Sequence, residues 1–431
     1  MKRLICASVI GMSSLLTTSV AFAQQDVTLR MSWWGGKSRH EVMLNALQAF
    51  EARNPGIKVN AEYMGWDGYL ERMTTQISGG IAPDVMQINW PWFPIFSRTG
   101  DGFYDINTLS DTFDLSQYPA KELKSTTING KLNAIPISLN VPGFYYNTET
   151  WKKAGLAFPK NWDDLFAAGK VFKEKLGDEY YPLIFGDQDT FLMVNCYMSQ
   201  KYNTPMFTPD GNHFAWNQEQ WREAFRFIQR LVSDHVIPGP KYLASFGKFD
   251  FIDTKYWQDG KWAGTYTWNV VIQYYAPKLT PPAKLVLGDY VMYPGATNAS
   301  AYFKVSLTYA ISKDTKHPKE AAKLMNFLLN DPQAIAAIKL ENGIPLSKMA
   351  VKTLTDDGTL TEENPSVAGF NAAQKLKSES TATSWMEDQK MQSFFQEARQ
   401  NMDYGRMTPD QAADDFVTKA ERLMKRSAAR S

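Results

Sequence analysis

The alternation of strand and helix signals in residues 27–89 constrains the fold more than any other feature of the chain. Runs of β-branched and apolar residues predict three strands, at 27–33, 57–63 and 85–88. Two amphipathic segments lie between them, and each ends at a glycine-containing stop signal. This β-α-β-α-β order predicts a parallel sheet with helices on both faces, because short crossovers join parallel strands.

Capping residues predict where several helices begin. Ser38 and Glu41 have the spacing of a capping box, in which the Ser38 side chain accepts a hydrogen bond from the Glu41 amide. Asp67 has the short polar side chain of an N-cap for the second helix. Asn161 and Asp331 are predicted to cap later helices in the same way, and the pattern beyond residue 345 is helical throughout.

The first 23 residues have the order of a secretory signal peptide. Lys2 and Arg3 precede an apolar stretch, which ends at an Ala-Phe-Ala cleavage site before Gln24. We therefore expect a secreted mature protein that is soluble after cleavage. Cys196 would be its one cysteine, which excludes an intrachain disulfide, and we expect it to be a buried small apolar residue.

Charge and motif content exclude several classes of function. The formal net charge of +1 argues against a nucleic-acid partner, whose phosphates require clustered cations. The four histidines lack metal-ligand spacing, and no phosphate-binding loop, dinucleotide fingerprint or nucleophile elbow is present. We therefore expect no metal, no cofactor and no catalytic residues. Charge and motif content do not exclude two other classes: a secreted carbohydrate-active enzyme, and a receptor for peptides or polyamines. Both are alternatives to the interpretation developed below.

Tryptophan follows each of the three predicted strands, at residues 33–34, 66 and 90–92. The carboxyl ends of parallel strands meet at one edge of a sheet, where ligands bind in folds of this type. Sugars present apolar C–H faces that stack on aromatic rings, and hydroxyl groups that bind polar side chains. The sequence therefore predicts a carbohydrate cleft at this edge.

The predicted cleft residues fall into four groups by role. Those expected to stack on sugar rings are Trp34, Trp66, Trp90, Tyr266 and Trp268. Those expected to bind hydroxyl groups are Asp67, Asn89, Gln188, Asp189 and Asn269. Those that could meet a ligand carboxylate are Lys37 and Lys304. Tyr145 and Tyr146 alternate on one strand, so only one of the two can face the cleft, and Tyr145 is the candidate.

Four motifs resemble family 1 of the extracellular solute-binding proteins. They are GGIAPDV at 79–85, IPI with YYN at 135–147, AGL with PKNWDD at 154–164, and AIS with HPKEAAK at 310–323. The resemblance covers essentially the whole chain after the leader. It implies a periplasmic sugar receptor of an ABC importer, which has no catalysis of its own and delivers its ligand to membrane permease subunits.

The resemblance also implies an α/β fold of two lobes, each a parallel-rich sheet flanked by helices, that close over the ligand. The N-lobe would comprise 24–137 with 304–346, and the C-lobe 138–303 with 347–431. Three hinge crossings are expected, near 136–141, 294–304 and 346–351. The receptor is expected to be a monomer.

Further segments are similar to the oligogalacturonide-binding branch of this family. They include LRMSWWGG at 29–36, GWDG at 65–68, GFYD at 102–105 and PGAT at 294–297. Such ligands are anionic, which is why Lys37 and Lys304 are the candidate carboxylate partners. The segment at 140–144 lacks the arginine found in that branch. A neutral plant oligosaccharide therefore stays open as the ligand.

Overall fold

The computed structural model describes residues 26–247, 249–378 and 383–428. The predicted leader at 1–23 lies outside the described residues. Within them, no helix combines the length and apolar character that crossing a membrane requires.

The strands that the structure describes are short, except for the first two. They are β1 (Val27–Trp34), β2 (Ile57–Met64), β3 (Val85–Asn89), β4 (Thr127–Ile128), β5 (Lys131–Leu132), β6 (Ile135–Pro136), β7 (Ser138–Asn140), β8 (Pro142–Asn147), β9 (Gly264–Trp268), β10 (Leu285–Leu287), β11 (Lys304–Val305), β12 (Leu307–Ile311) and β13 (Ile344–Pro345).

Helices occupy most of the remaining chain and dominate its C-terminal part. They are α1 (Lys37–Arg53), α2 (Tyr69–Ser78), α3 (Phe93–Phe96), α4 (Ala120–Lys124), α5 (Thr148–Ala154), α6 (Trp162–Leu176), α7 (Asp187–Tyr202), α8 (Gln218–Ser233), α9 (Pro240–Ala244), α10 (Lys255–Gln258), α11 (Ile272–Tyr275), α12 (Pro318–Asn330), α13 (Pro332–Ile338), α14 (Lys348–Asp356), α15 (Pro365–Gln374), α16 (Gln389–Asp403) and α17 (Pro409–Ala428).

The first lobe is built on a five-stranded sheet of order β2-β1-β3-β12-β6. β1 pairs in parallel with both β2 and β3, which confirms the predicted β-α-β-α-β arrangement. β12 returns from late in the chain and pairs antiparallel with β3, with Leu307 opposite Asn89. Apolar residues of this sheet and of α1 and α12 form one buried core.

Two of the predicted caps are wrong. α1 begins at Lys37 after an extended Gly36, so Ser38 lies inside the helix and does not cap it. α2 begins at Tyr69 after Gly68, which has a φ of 83° and separates Asp67 from the helix. Glycine adopts this left-handed backbone conformation readily because it has no Cβ. The caps by Asn161 and Asp331 are confirmed, since each side chain accepts a hydrogen bond from an amide of its helix.

The second lobe is built on a three-stranded sheet of order β10-β8-β9, whose strands pair antiparallel. Parallel pairing appears beside it as isolated bridges, Tyr181 with Trp262 and Asn161 with Met292. α6, α7, α8, α16 and α17 pack around a large aromatic core on this sheet. Cys196 is buried in that core, as predicted, and burial raises the pKa of its thiol to about 12.

Three short strands, β7, β11 and β13, join the lobes as one antiparallel sheet. Lys304 pairs with Asn140 and Ile344 pairs with Leu139. The three crossing segments therefore lie side by side, which is the arrangement of a hinge between two lobes.

Candidate functional site: a cleft between the lobes

A cavity of about 460 Å³ lies between the two lobes. The first lobe contributes residues that follow β2 and β3 and residues of the first turn of α2, namely Trp66, Asp67, Gly68, Leu70, Glu71, Asn89 and Trp92. The second lobe contributes residues at the start of α7, just before α16 and along α16, namely Asp187, Gln188, Glu387, Gln389, Gln392, Ser393 and Gln396. Polar groups and indole rings thus face each other across one space, as in sites for small polar ligands.

Trp66 and Trp92 form an aromatic wall on the first lobe. Their rings stack with centroids 5.3 Å apart, and the Trp66 side chain is 51% exposed. Trp34 is buried behind them, with its ring 5.2 Å from that of Trp66 and 5.4 Å from that of Trp92. Trp34 therefore supports the platform, while Trp66 offers a face to a ligand.

Trp92, rather than the predicted Trp90, lines the cavity. β3 ends at Asn89 and runs directly into a 3-10 turn, Trp90–Trp92, so the two indoles point in different directions. The Trp90 ring nitrogen donates to the Ser125 carbonyl at 2.9 Å, and the ring packs on the first-lobe core. A turn of this kind cannot be read from a Trp-Pro-Trp sequence alone.

The facing wall is one side of α16. Its polar residues recur at the spacing of a single helix face, as Gln389, Gln392, Ser393 and Gln396. The opposite side, with Met391, Phe395 and Ala398, is buried in the second-lobe core. The sequence interpretation missed this wall, although glutamine and serine repeating beside an apolar stripe were a usable signal.

Asp187 and Gln188 complete the second-lobe wall at the first turn of α7. Arg399 lies buried on α16 and donates to Asp187 Oδ1 at 2.6 Å and to Thr190 Oγ1 at 2.8 Å. This guanidinium fixes the position of the Asp187 carboxylate, which leaves its second oxygen able to accept a ligand hydroxyl.

Asp189 lies one residue further along α7, where its carboxyl accepts from the Thr267 hydroxyl at 3.3 Å. Burial is the largest influence on this group and raises its pKa to about 7, against the lowering effects of Thr267 and the Gly186 amide. Loss of water disfavours the charged form of a carboxyl. Asp189 therefore titrates near neutral pH beside the cleft.

Lys304 and Glu387 form an ion pair at the floor of the cavity, where their side chains are only 5% and 8% exposed. The second oxygen of Glu387 accepts from Asn89 Nδ2 at 3.1 Å. The Lys304 ammonium also lies 4.8 Å from the centre of the ring of Trp268, which is half-buried. The predicted Asn89, Trp268 and Lys304 thus meet at one point, around a glutamate that the sequence interpretation missed.

Two predicted ligand-binding residues are buried in the second lobe instead. Tyr266 is fully buried, with its hydroxyl 3.3 Å from that of Tyr290. Asn269 is also fully buried, and its side chain accepts from the Val141 amide and donates to the Ser366 carbonyl. Their predicted roles as a stacking ring and a hydroxyl ligand are wrong, because α15 and the second-lobe helices cover this end of β9.

Tyr145 and Tyr146 do alternate across β8, but both are fully buried, so neither faces the cleft. Tyr145 packs in a small cluster with Trp257 and Trp262, and Tyr146 packs in the main second-lobe core. Gly369 of α15 lies so close that an added Cβ would sit 2.1 Å from the Tyr145 hydroxyl. α15 therefore packs against Tyr145 at the position where a ligand was expected to contact it.

Lys37 lies at the first position of α1, with its side chain 91% exposed. Its ammonium is 3.8 Å from Glu41 on the same helix. Such an exposed pair holds a lysine weakly. The structure thus directs Lys37 to solvent, while Lys304 lies at the floor of the cleft.

The lining is acidic in the part of the chain that the structure describes. It includes four carboxylates, Asp67, Glu71, Asp187 and Glu387, and neither lysine nor arginine is among the lining residues there. The two nearest cations named above, Lys304 and Arg399, each pair with one of these carboxylates from behind. Within the described ranges, no three His, Cys, Asp or Glu side chains are grouped to hold a metal ion.

Two lobes joined by three adjacent crossings, with a polar and aromatic cleft between them, define a type II periplasmic binding protein. The chain belongs to the bacterial extracellular solute-binding protein family, whose model matches residues 36–335. It is 50% identical to a periplasmic oligogalacturonide binding protein from Yersinia enterocolitica, solved with saturated digalacturonic acid. That match has a TM-score of 0.89 and covers 93% of this chain and 99% of the other.

Two further relatives agree with this assignment. A periplasmic solute binding protein from Pectobacterium atrosepticum is 43% identical, with a TM-score of 0.90, over 93% of this chain and 99% of that chain. The diacetylchitobiose binding protein of Streptomyces coelicolor is 26% identical over 44% of this chain and 43% of its own length.

Proposed function

We propose that this protein is the periplasmic receptor of an ABC importer and binds a pectin-derived oligosaccharide, such as an oligogalacturonide, between two closing lobes. The observation that carries the proposal is the indole wall of Trp66 and Trp92 facing the amide and hydroxyl stripe of α16 across the cleft. Stacking on one side and hydroxyl binding on the other match the two kinds of surface that a sugar ring presents.

The likeness to the Yersinia enterocolitica protein supports an anionic ligand, since that protein was solved with digalacturonic acid. In this assignment Lys304 is the carboxylate partner. Trp66 stacks on a sugar ring, and Asp67, Asn89 and Gln188 bind hydroxyl groups. Lobe boundaries at 137/138, 303/304 and 346/347 place β7, β11 and β13 at the crossings.

A neutral plant oligosaccharide is the second candidate. The acidic lining favours it, because a uronate would meet Asp67 and Glu71 without an uncompensated cation among the described lining residues. Hydroxyl groups, in contrast, donate well to carboxylates.

Calorimetric titration of the protein with digalacturonate and with α-1,4-linked digalactose, at low and high salt, separates these candidates. Binding of digalacturonate that weakens with salt supports the uronide assignment. Binding of digalactose alone supports the receptor role, with a neutral oligosaccharide and not a uronide as the ligand. Absence of binding by both sugars contradicts the proposal.

The receptor role includes further expectations that can be measured on the same samples. The ligand should be recovered intact, because a receptor binds stoichiometrically, whereas a carbohydrate-active enzyme would change chain length or add unsaturated ends. The protein should elute as a monomer on size-exclusion chromatography. Permease subunits of the inner membrane are the expected partners.

A further inference from the structure

The Lys304–Glu387 pair places a carboxylate of the protein itself at the floor of the cleft. Glu387 lines the cavity, whereas Lys304 lies directly behind it on the crossing strand β11. Both side chains are almost fully buried. A charge pair withdrawn from water in this way is not weakened by bulk solvent as a surface pair would be.

Both oxygens of Glu387 are engaged, and they connect three parts of the molecule. Oε1 pairs with Lys304 of the hinge, and Oε2 accepts from Asn89 at the end of β3 in the first lobe. Glu387 itself belongs to the second lobe, in the turn Ser384–Glu387 that leads into α16. Lys304 therefore meets an anion before any ligand arrives.

The charge of the cleft follows from this arrangement. With Glu387 in place, the floor of the cavity is neutral. The remaining lining carries Asp67 and Glu71, together with Asp187, which pairs with Arg399. A uronate entering near Asn89 would compete with Glu387 for the Lys304 ammonium. A neutral sugar would meet no such competition, because it can use the Asn89 amide and the Glu387 oxygens as they stand.

We propose that Glu387 determines the charge selectivity of the cleft: by neutralising Lys304, it weakens the binding of a sugar carboxylate at the floor relative to that of a neutral sugar. This inference rests on the proposed sugar-receptor function and adds to it the residue that sets the choice between uronide and neutral ligand.

Glu387→Gln is the central variant, because glutamine has nearly the same size and its oxygen can still accept from Asn89. The change removes the charge that neutralises Lys304. Glu174→Gln is the matched control, since it removes an equal charge from an exposed carboxylate on α6, outside the residues that line the cavity. The double variant Lys304→Met with Glu387→Gln removes both charges and so leaves no unpaired buried ion.

Each protein is titrated with digalacturonate and with α-1,4-linked digalactose, after thermal unfolding has confirmed that it folds. The measured quantity is the Kd for digalactose divided by the Kd for digalacturonate. We expect this ratio to rise about tenfold or more in Glu387→Gln, because Lys304 is then no longer neutralised and can attract the sugar carboxylate. A tenfold change in the ratio corresponds to about 1.4 kcal/mol. It should stay within about threefold of the wild-type ratio in Glu174→Gln and in the double variant.

A smaller rise in Glu387→Gln overturns the inference, as does an equal rise in Glu174→Gln or in the double variant. If Glu387→Gln does not fold, Lys304→Met decides, because it leaves Glu387 unpaired and should lower the ratio about tenfold or more. These outcomes are separate from the failure of the proposed function, which is the absence of binding of either sugar by the wild-type protein.

Discussion

At the scale of single residues, exposure separates the side chain that can contact a ligand from those that support it. Trp66 presents about half of its surface to the cleft, whereas Trp34 and Trp92 are buried against it. The two supporting indoles hold the Trp66 ring in one orientation, so little conformational freedom remains to be lost when a sugar stacks on it.

Trp66→Ala should therefore weaken sugar binding by about 1–3 kcal/mol, or roughly 5- to 150-fold, by analogy with the truncation of other aromatic anchor residues. Stability should change little, because the side chain is half exposed. Calorimetry of Trp66→Ala measures the effect. Trp90→Phe is the control, because it removes the bond to Ser125 inside the first lobe and should alter stability alone. An unchanged affinity in Trp66→Ala contradicts the stacking role.

Asp189 makes stability depend on pH. Its pKa is about 7 in the folded protein and near 3.8 when it is exposed to water. Between these values the folded state holds one more proton than the unfolded state, so the free energy of unfolding falls as pH rises from about 4 to about 7. Asp189→Asn should lack this loss. Urea unfolding of both proteins at pH 5 and pH 8 measures the difference, and parallel pH profiles would contradict the assignment.

At the scale of elements, α16 divides its two faces between the core and the cleft. Its apolar side anchors the second lobe, and Arg399 on the same helix holds Asp187. Its polar side supplies Gln392, Ser393 and Gln396 to the cavity. Because the helix is fixed by its core, the amides stand at defined positions toward the ligand.

Gln396→Ala should weaken sugar binding by about 0.5–1.5 kcal/mol, the net value of one hydrogen bond. The control is Gln400→Ala, which changes the same residue type one turn later on an exposed part of the same helix. Both substitutions have the same effect on helix propensity, so a difference in their Kd values isolates ligand contact. Equal affinities in the two variants would remove α16 from the binding site.

At the scale of the whole molecule, polar contacts link the two lobes beside the hinge as well as at the floor of the cavity. Glu341, in the loop between α13 and β13, accepts from Ser38 of the first lobe at 3.2 Å and from Tyr274 of the second lobe at 3.0 Å. Both donors share the same oxygen, Oε2. Glu341 thus links the two lobes through polar contacts, which can exchange when a ligand binds.

Removing both donors, with Ser38→Ala and Tyr274→Phe, should make the sugar-free protein more open and weaken binding by about 1 kcal/mol, roughly fivefold. Small-angle scattering should give a larger radius of gyration for the double variant without sugar, and equal values for both proteins with saturating sugar. Lys58→Ala is the control, because its exposed pair with Glu51 lies within the first lobe. Identical scattering without sugar would show that Glu341 does not hold the lobes.

Local sequence patterns were enough to predict the three parallel strands of the first lobe and the family of this protein. The β-α-β-α-β order, the position of Trp66, Asp67 and Asn89 at strand ends, and the burial of Cys196 all depend on residues close together in the chain. Such local patterns express the periodicity of strands and helices directly, so they can be interpreted without a structure.

Which side chains meet in the cleft depends on how distant segments pack, and it could not be predicted from the sequence. Packing of α15 on β8 buries Tyr145, and the 3-10 turn Trp90–Trp92 places Trp92 rather than Trp90 in the cleft. α16 and Glu387, far along the chain from β3, supplied the opposite wall and the partner of Lys304. These outcomes depend on contacts between distant segments, which local spacing does not encode, because each face of a helix or strand finds its partner only in the folded core.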